Sequence, residues 1–364
     1  MTVKARSFAK INLGLRIGTR RSDGFHELLT IYQTIGLHDM IGVSIERGSG
    51  IEIRCADPRV PQDETNTCYR IVERALQALR VKGRVVIEIQ KLLPVQGGLG
   101  GASGNAVTTL LALECAVKKS LPAEERLRIA GDVGSDLPLF LIGGTVLGIG
   151  RGEQVFPLPE LPAMACVVLT PEVGVSTPKA FAQWDRLVGA DAPGRESVSR
   201  QIGLEEKGDK KPAELRSART GEGARPYTST PASKLTVSKP SDRMNELGRG
   251  LSAWLSEMYS GAPFGRGRAE KPLLELVRAG IKNDFEQVVF PEYPELDVGK
   301  QALLRVGAKY ASLSGSGSTL YGLFTSKGAA VQAAGKLRKE GWAAQVTETL
   351  TRRDYWKRMI APGK

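Results

Sequence analysis

The chain has 364 residues, 41% hydrophobic and 25% charged, the mixture of a soluble globular protein, which excludes wholesale disorder and leaves room for two domains. Its 51 Lys and Arg against 39 Asp and Glu leave a net charge of +12, an attractive field for anions: nucleotide, phosphorylated metabolite or nucleic acid. Four scattered cysteines without a C-x-x-C pair and only two histidines exclude structural zinc, and the most apolar stretch, Leu137 to Gly150, is too short to cross a bilayer.

In chain order, Ser7 to Gly18, Leu28 to Ile35 and Ile41 to Ile45 alternate as strands do, around a charged turn from Thr19 to Glu27. Asn66 and Thr67 are placed to cap a helix running to about Val81, because Ile71, Val72, Ala75, Leu76 and Leu79 recur at helical spacing. A strand over Val85 to Ile89, a glycine-packed loop and a helix from about Asn105 to Ala116 follow. Pro122 opens another helix to about Val133, and strands are expected near Thr145 to Ile149 and Ala165 to Thr170. From about Gly189 to Asn245 the composition is polar and poor in large apolar side chains, which reads as a mobile insertion. Helices are expected around Leu247 to Met258, Lys271 to Ala279 and Glu292 to Arg305. A glycine-serine turn, a strand Thr319 to Phe324, a helix to about Lys339 and a strand near Ala343 to Thr347 complete an α+β C-terminal part.

Chemistry is expected where glycine and charge interrupt the apolar pattern. Residues 93–106 read LPVQGGLGGASGNA, with five glycines in eight positions running into a helix. Such a backbone lets several N–H groups converge on an anion at the positive helix end; it also lets strand and helix pack closely. Neither the dinucleotide G-x-G-x-x-G nor the G-x-x-x-x-G-K-[ST] spacing is present. A second glycine turn, SLSGSGS at 312–318, is either a plain hairpin or a cover for a ligand held by the first. Asp136, in VGSDLPLFLIGG, is a helix cap or a base. Lys10 stands inside the apolar FAKINLGL, where lysine is unusual, as a strand-edge residue or as a cation with a partner. Together a base, a cation and a phosphate cradle are what phosphoryl transfer needs.

These motifs resemble a known family. PVQGGLGGASGNA is similar to the P-x-x-x-G-L-G-S-S-A motif of the GHMP small-molecule kinases, and SLSGSGS to their C-terminal motif. Within that family SFAKINLGL, RRSDGFHELLTIYQTI, VGSDLPLFLIGG and NDFEQVVFPEYPEL resemble the branch that phosphorylates 4-diphosphocytidyl-2-C-methyl-D-erythritol in non-mevalonate isoprenoid synthesis. The similarity spans Ser7 to about Val188 and about Lys271 to Thr347.

The resemblance implies an α+β, two-domain GHMP kinase fold with an N-terminal ribosomal-protein-like domain (1–170, ATP-binding) and a C-terminal ferredoxin-like domain (171–364, carrying the insertion at about 189–267). It implies a cytoplasmic enzyme with ATP and Mg²⁺, acting on a small molecule that bears a cytidine diphosphate, with no nucleic-acid or membrane partner. Asp136 matches the catalytic aspartate and Lys10 the lysine beside it. Pro94, Val95, Gln96, Gly97, Gly98, Leu99, Gly100, Gly101, Ala102, Ser103, Gly104 and Asn105 match the ATP loop, and Asn66 a segment near the adenine; no Mg²⁺ ligand is assigned. Asn12 and Thr177 match substrate contacts, His26 the reader of the cytosine edge, and Phe25 and Phe181 the pair that sandwiches the base. Those three cytidine residues argue against a GHMP kinase for another alcohol, and the lack of a nucleic-acid module against the reading that +12 alone suggests. Phe25 stands where the family has tyrosine, Gly104 where it has a hydroxyl residue, and the insertion has no family counterpart.

Overall fold

A computed structural model describes residues 2–190, 244–249, 251–252 and 281–360. The expected insertion and the helix expected over Lys271 to Ala279 lie outside the described residues, apart from helical stretches at 244–249 and 251–252. The chain adopts the expected α+β class, in two sheets. The first has the order β3-β4-β2-β5-β6, with β1 paired to β2; the second has the order β10-β7-β9-β8.

Two long strands organise the first sheet. β1 (Val3–Arg20) and β2 (His26–Glu46) pair antiparallel along almost their whole length, with register shifts at Phe8/Ala9, Asn12/Gly14 and Ile17/Arg20. β2 is therefore one strand where two were expected, because Gly36 and the polar pair His38-Asp39 interrupt the alternation without ending the ladder. On its other edge β2 pairs with β4 (Arg84–Gln90) over 40–46 and with β5 (Thr145–Gly150) over 28–33. The short β3 (Gly50–Cys55) and β6 (Gln154–Pro157) were not anticipated; they extend the sheet beyond β4 and β5.

The helices α1 (Thr67–Leu79), α2 (Gly101–Val117) and α3 (Ala123–Val133) cover this sheet. Asn66 caps α1 as its spacing predicts, accepting a hydrogen bond from the Cys68 amide at 2.8 Å. A four-residue helix, α4 (Leu137–Phe140), follows α3.

The second sheet is made of β7 (Ala165–Leu169), β8 (Tyr310–Leu313), β9 (Leu320–Phe324) and β10 (Ala344–Glu348), all antiparallel. Strand β7, expected at the close of the N-terminal domain, thus belongs to this sheet. Around it pack α5 (Thr177–Ala190), α6 (Glu286–Glu292), α7 (Pro294–Arg305) and α8 (Lys327–Lys339). The helix expected over Glu292 to Arg305 is α7, which starts two residues later at Pro294; α6 ahead of it was not anticipated, and Tyr293 separates the two. A last helix, α9 (Arg352–Met359), packs back on β1. Among the described residues no helix is long and apolar enough to cross a membrane.

A third core cluster joins the sheets: Ala9, Ile11, Leu13, Ile31 and Ile35 against Cys166, Val168, Tyr321 and Leu323. Three tyrosines, Tyr321 and Tyr355 buried and Tyr310 half-buried, tie the layers through their hydroxyls. Tyr321 donates to Asn12 O at 2.7 Å, Tyr310 to Leu13 O at 3.1 Å, and Tyr355 to Phe140 O at 2.6 Å. Burial pushes all three phenols above the ordinary tyrosine value of 10. Their stabilisation is complete below pH ~10, and is lost above it, as the unfolded chain ionises and the native one does not. Alkaline titration followed at 295 nm and by circular dichroism is expected to show these tyrosines ionising only as the native signal disappears; ionisation ahead of unfolding would contradict their burial.

Candidate active site

Strand alternation separates the two faces of β1. Ala9, Ile11 and Leu13 enter the core between the sheets, and Lys10 and Asn12 point the other way. Lys10 is only 3% exposed, so its ammonium requires partners. Its Nζ donates to Asn12 Oδ1 at 2.7 Å and lies 3.4 Å from Asp136 Oδ2. Asn12 is held with its oxygen toward Lys10 because its Nδ2 donates to Thr30 Oγ1 at 2.8 Å, and Thr30 in turn donates to Gly14 O at 2.8 Å. Tyr32, opposite Asn12 in the β1–β2 register, donates to Asp136 Oδ1 at 3.1 Å. Burial first, then the neighbouring Asp136 carboxylate, hold the Tyr32 phenol well above its ordinary value, so it remains a donor throughout the physiological range.

Asp136 precedes α4, yet among the described residues its side chain makes no capping bond. Of the two alternatives, cap or base, the geometry has the carboxylate turned to Lys10 and Tyr32, with its side chain 35% exposed. It is a partly open carboxylate with both oxygens oriented.

Beside this group lies a cavity of about 390 Å³, lined by Arg59 to Pro61, Thr65 to Cys68, Lys91 and the glycine loop. Gly98 and Gly100 have φ of +78° and +69°, a region that favours glycine. Helix α2 starts at Gly101, four residues before the expected Asn105, so the second half of the expected loop is the helix's first turn. Its leading amides lack intrahelical partners, no acidic side chain occupies that turn, and the dipole favours an anion there. Asn66 lines the same cavity, but both polar atoms of its side chain are used within the protein, by Cys68 N and by Pro61 O at 2.6 Å. Cys68, also in the wall, is an inert thiol that burial pushes up to about 12.

The second glycine turn is both a β8–β9 hairpin and a partner of the first. Ser314 Oγ donates to Gly98 O at 3.0 Å and Thr319 N to Gly97 O at 3.1 Å. A Cβ on Gly98 would stand 2.1 Å from Ser314 O, one on Gly100 2.9 Å from Lys10 Cγ, and one on Gly315 3.4 Å from Lys10 Nζ. Asn283 and Glu286, from the NDFE segment, hold the turn rather than face a ligand. Asn283 Nδ2 donates to Leu313 O and Gly315 O at 2.9 and 2.7 Å, while Glu286 Oε1 accepts from Ser312 Oγ at 2.7 Å and Leu313 N at 3.0 Å. Asp284 between them pairs in the interior with Arg16 of β1 at 2.9 Å.

At the other end of β2, His26 is buried with Nε2 at 2.6 Å from Asp185 Oδ1, and its ring stacks on Phe181 at 4.8 Å and 7°. Phe181 meets Phe285 edge-on at 4.9 Å. Phe25 is 51% exposed under the Arg151 guanidinium, 5.0 Å from its ring centre. Among the described rings the flat partner of Phe181 is thus His26, not Phe25 across an open slot. Thr177 Oγ1 lies 2.7 Å from Ser316 Oγ and links α5 to the second glycine turn.

Family models match the two halves of this arrangement: the GHMP kinases N-terminal domain over 66–144 and the GHMP kinases C-terminal domain over 269–343. A 4-diphosphocytidyl-2-C-methyl-D-erythritol kinase of Solibacter usitatus is 32% identical, covering 90% of this chain and 83% of that protein. One of Geobacter sulfurreducens is also 32% identical, with 96% and 99% covered. The chain belongs to the 4-diphosphocytidyl-2-C-methyl-D-erythritol kinase family. A solved 4-(cytidine 5'-diphospho)-2C-methyl-D-erythritol kinase superposes with a TM-score of 0.62 at 25% identity, covering 95% of this chain and 98% of that one. A homoserine kinase from Cytophaga hutchinsonii, at 19% identity and a TM-score of 0.59, shares the fold.

In this kinase family member the structure brings Lys10, Asn12 and Asp136 together beside Gly100, and His26 beside Phe181. It also adds residues the sequence did not single out. Tyr32 reads as an ordinary core aromatic of a strand, and only its register opposite Asn12 reveals its phenol. Asp185 and Arg151 are distant in sequence from the rings they accompany. Tyr32→Phe, which removes a hydrogen bond to a charged group, is expected to lower kcat about tenfold with both KM values held within about twofold in steady-state kinetics. An unchanged kcat would detach Tyr32 from Asp136's work.

Proposed function

We propose that this chain transfers the γ-phosphoryl group of ATP to the 2-hydroxyl of 4-diphosphocytidyl-2-C-methyl-D-erythritol, forming the 2-phosphate and ADP for isoprenoid precursor synthesis. The observation that carries the reading is the buried Lys10 ammonium 3.4 Å from the partly open Asp136 carboxylate, beside a glycine loop at a helix N-terminus. ATP occupies the 390 Å³ cavity, with its phosphates on the amides of Gly98 to Ala102 and the first turn of α2. The acceptor alcohol meets Asp136, which takes its proton as the oxygen attacks phosphorus. Tyr32 and Lys10 orient the two carboxylate oxygens, so the base is set before substrate arrives. Lys10 donates one ammonium proton to Asn12 and faces Asp136 as an ion pair at 3.4 Å. Its remaining donor capacity serves the reacting hydroxyl or the transferring phosphoryl group, where negative charge develops.

Mg²⁺, when bound, would offset the charge of the triphosphate. Among the described residues no His, Cys, Asp and Glu cluster could form a cage, whereas Asn105 Oδ1, buried without a partner, and Asp136 are oxygen donors of the kind a largely hydrated Mg²⁺ takes. At the far end, Phe25, His26, Phe181 and Thr177 receive the cytidine, the exposed Phe25 ring offering a planar base an open face while His26 covers that of Phe181. Four free thiols, Cys68 and Cys166 among them deeply buried, support a reducing, cytoplasmic setting.

ADP release from MgATP is expected with 4-diphosphocytidyl-2-C-methyl-D-erythritol and not with homoserine or mevalonate, and Asp136→Asn is expected to lower kcat by about a hundredfold or more. Turnover of another alcohol in preference would overturn the substrate; an undiminished Asp136→Asn rate would overturn the base.

A further inference from the structure

Asp39 is a fully buried carboxylate in β2 to which the reaction above gives no part. It accepts hydrogen bonds from Lys91 Nζ at 2.6 Å, from the Leu92 and Leu93 amides at 2.7 Å each, and from Asn105 Nδ2 at 2.9 Å. Four donors fill the capacity of a carboxylate, and each bond is charge-assisted. They come from two places only. Residues 91–93 are where the chain leaves β4 for the glycine loop, and Asn105 is the fifth residue of α2, one turn past the end of the loop.

We propose that Asp39 is the positioning residue of the nucleotide site: one buried carboxylate fastens the entrance and the exit of the 94–100 loop to the same point of the sheet. The proposal rests on the kinase reading above. Stability alone does not account for the arrangement, since apolar residues commonly replace a buried ion pair at no loss. Geometry does: the loop between the two fastenings contains three residues at positive φ, Gln96, Gly98 and Gly100, and has no regular structure to hold its shape. A carboxylate can only accept, so it also turns the nitrogen of Asn105 toward itself. That leaves Asn105 Oδ1, which among the described residues has no partner, as the acceptor of a side chain lining the cavity.

The test is calorimetric binding of MgATP and, separately, of 4-diphosphocytidyl-2-C-methyl-D-erythritol to the whole protein and to Asp39→Asn, with hydrogen exchange at the Leu92 and Leu93 amides. The variant is expected to bind MgATP about tenfold more weakly or worse, to bind the cytidylyl alcohol within about twofold of the parent, and to lose protection at both amides. MgATP affinity unchanged within about twofold would overturn the proposal, as would parallel loss of both affinities, which is what a general role in the fold produces. If Lys91 without its carboxylate unfolds the variant, the same comparison is made on Asp39→Glu, which keeps Lys91 paired and displaces the fastening; MgATP affinity within about twofold of the parent there would overturn the positioning role. Failure of the parent protein to bind MgATP would instead overturn the kinase reading itself.

Discussion

The contact on which the rest depends is between two glycine turns whose backbones meet. Gly98 and the Ser314–Gly317 turn approach so closely that a single methyl at Gly98 would overlap Ser314 O. This approach brings the nucleotide loop of the first sheet onto the second sheet's hairpin, with Lys10 beneath both. Everything that holds either turn then bears on the site. Asn283 and Glu286 brace the hairpin, Thr177 ties it to α5 and so to the aromatic end, and the inter-sheet core beneath β1 sets the distance between the layers.

Charge follows the same plan. A buried ammonium and a nearby carboxylate make a poor stabilising device, because desolvation offsets much of their attraction. Here the cost is limited: Asn12, a neutral acceptor, satisfies Lys10 by a charge-assisted hydrogen bond and Asp136 stays partly open to solvent. The pair is therefore held in register with the loop while the carboxylate remains accessible to an alcohol. The basic chain as a whole favours the approach of two polyanionic substrates.

Much of this is legible in the residues themselves. The helix after Asn66 is, because five apolar residues recur at helical spacing behind a capping side chain. Lys10 is conspicuous because lysine is rare in an apolar strand. The start of α2 is not legible: glycine disfavours helix locally, yet Gly104 N donates to Gly100 O at 2.8 Å, at a position where a Cβ would press on the Phe8 carbonyl and the Ser7 hydroxyl. Asp136 was ambiguous because a polar residue before Leu-Pro reads as a cap until its partners, 126 and 104 positions away in the chain, are known. Asp39 falls between two expected strands, beside His38, and its donors lie 52 to 66 residues on. The His26–Asp185 pair spans 159 residues, beyond any local pattern. Fold class and the candidate residues are thus written locally, whereas the choice between cap and base at Asp136, and the groups that orient these side chains, are written in the tertiary pairing.

The most direct test of the central contact is Gly98→Ala, assayed for phosphoryl transfer alongside cytidylyl-alcohol binding. The added Cβ would meet the Ser314 carbonyl at 2.1 Å on a backbone of φ +78°, so the two turns must separate. The account predicts transfer reduced about a hundredfold or more, with cytidylyl-alcohol binding and the thermal transition largely retained. Transfer within about threefold of the parent would contradict it.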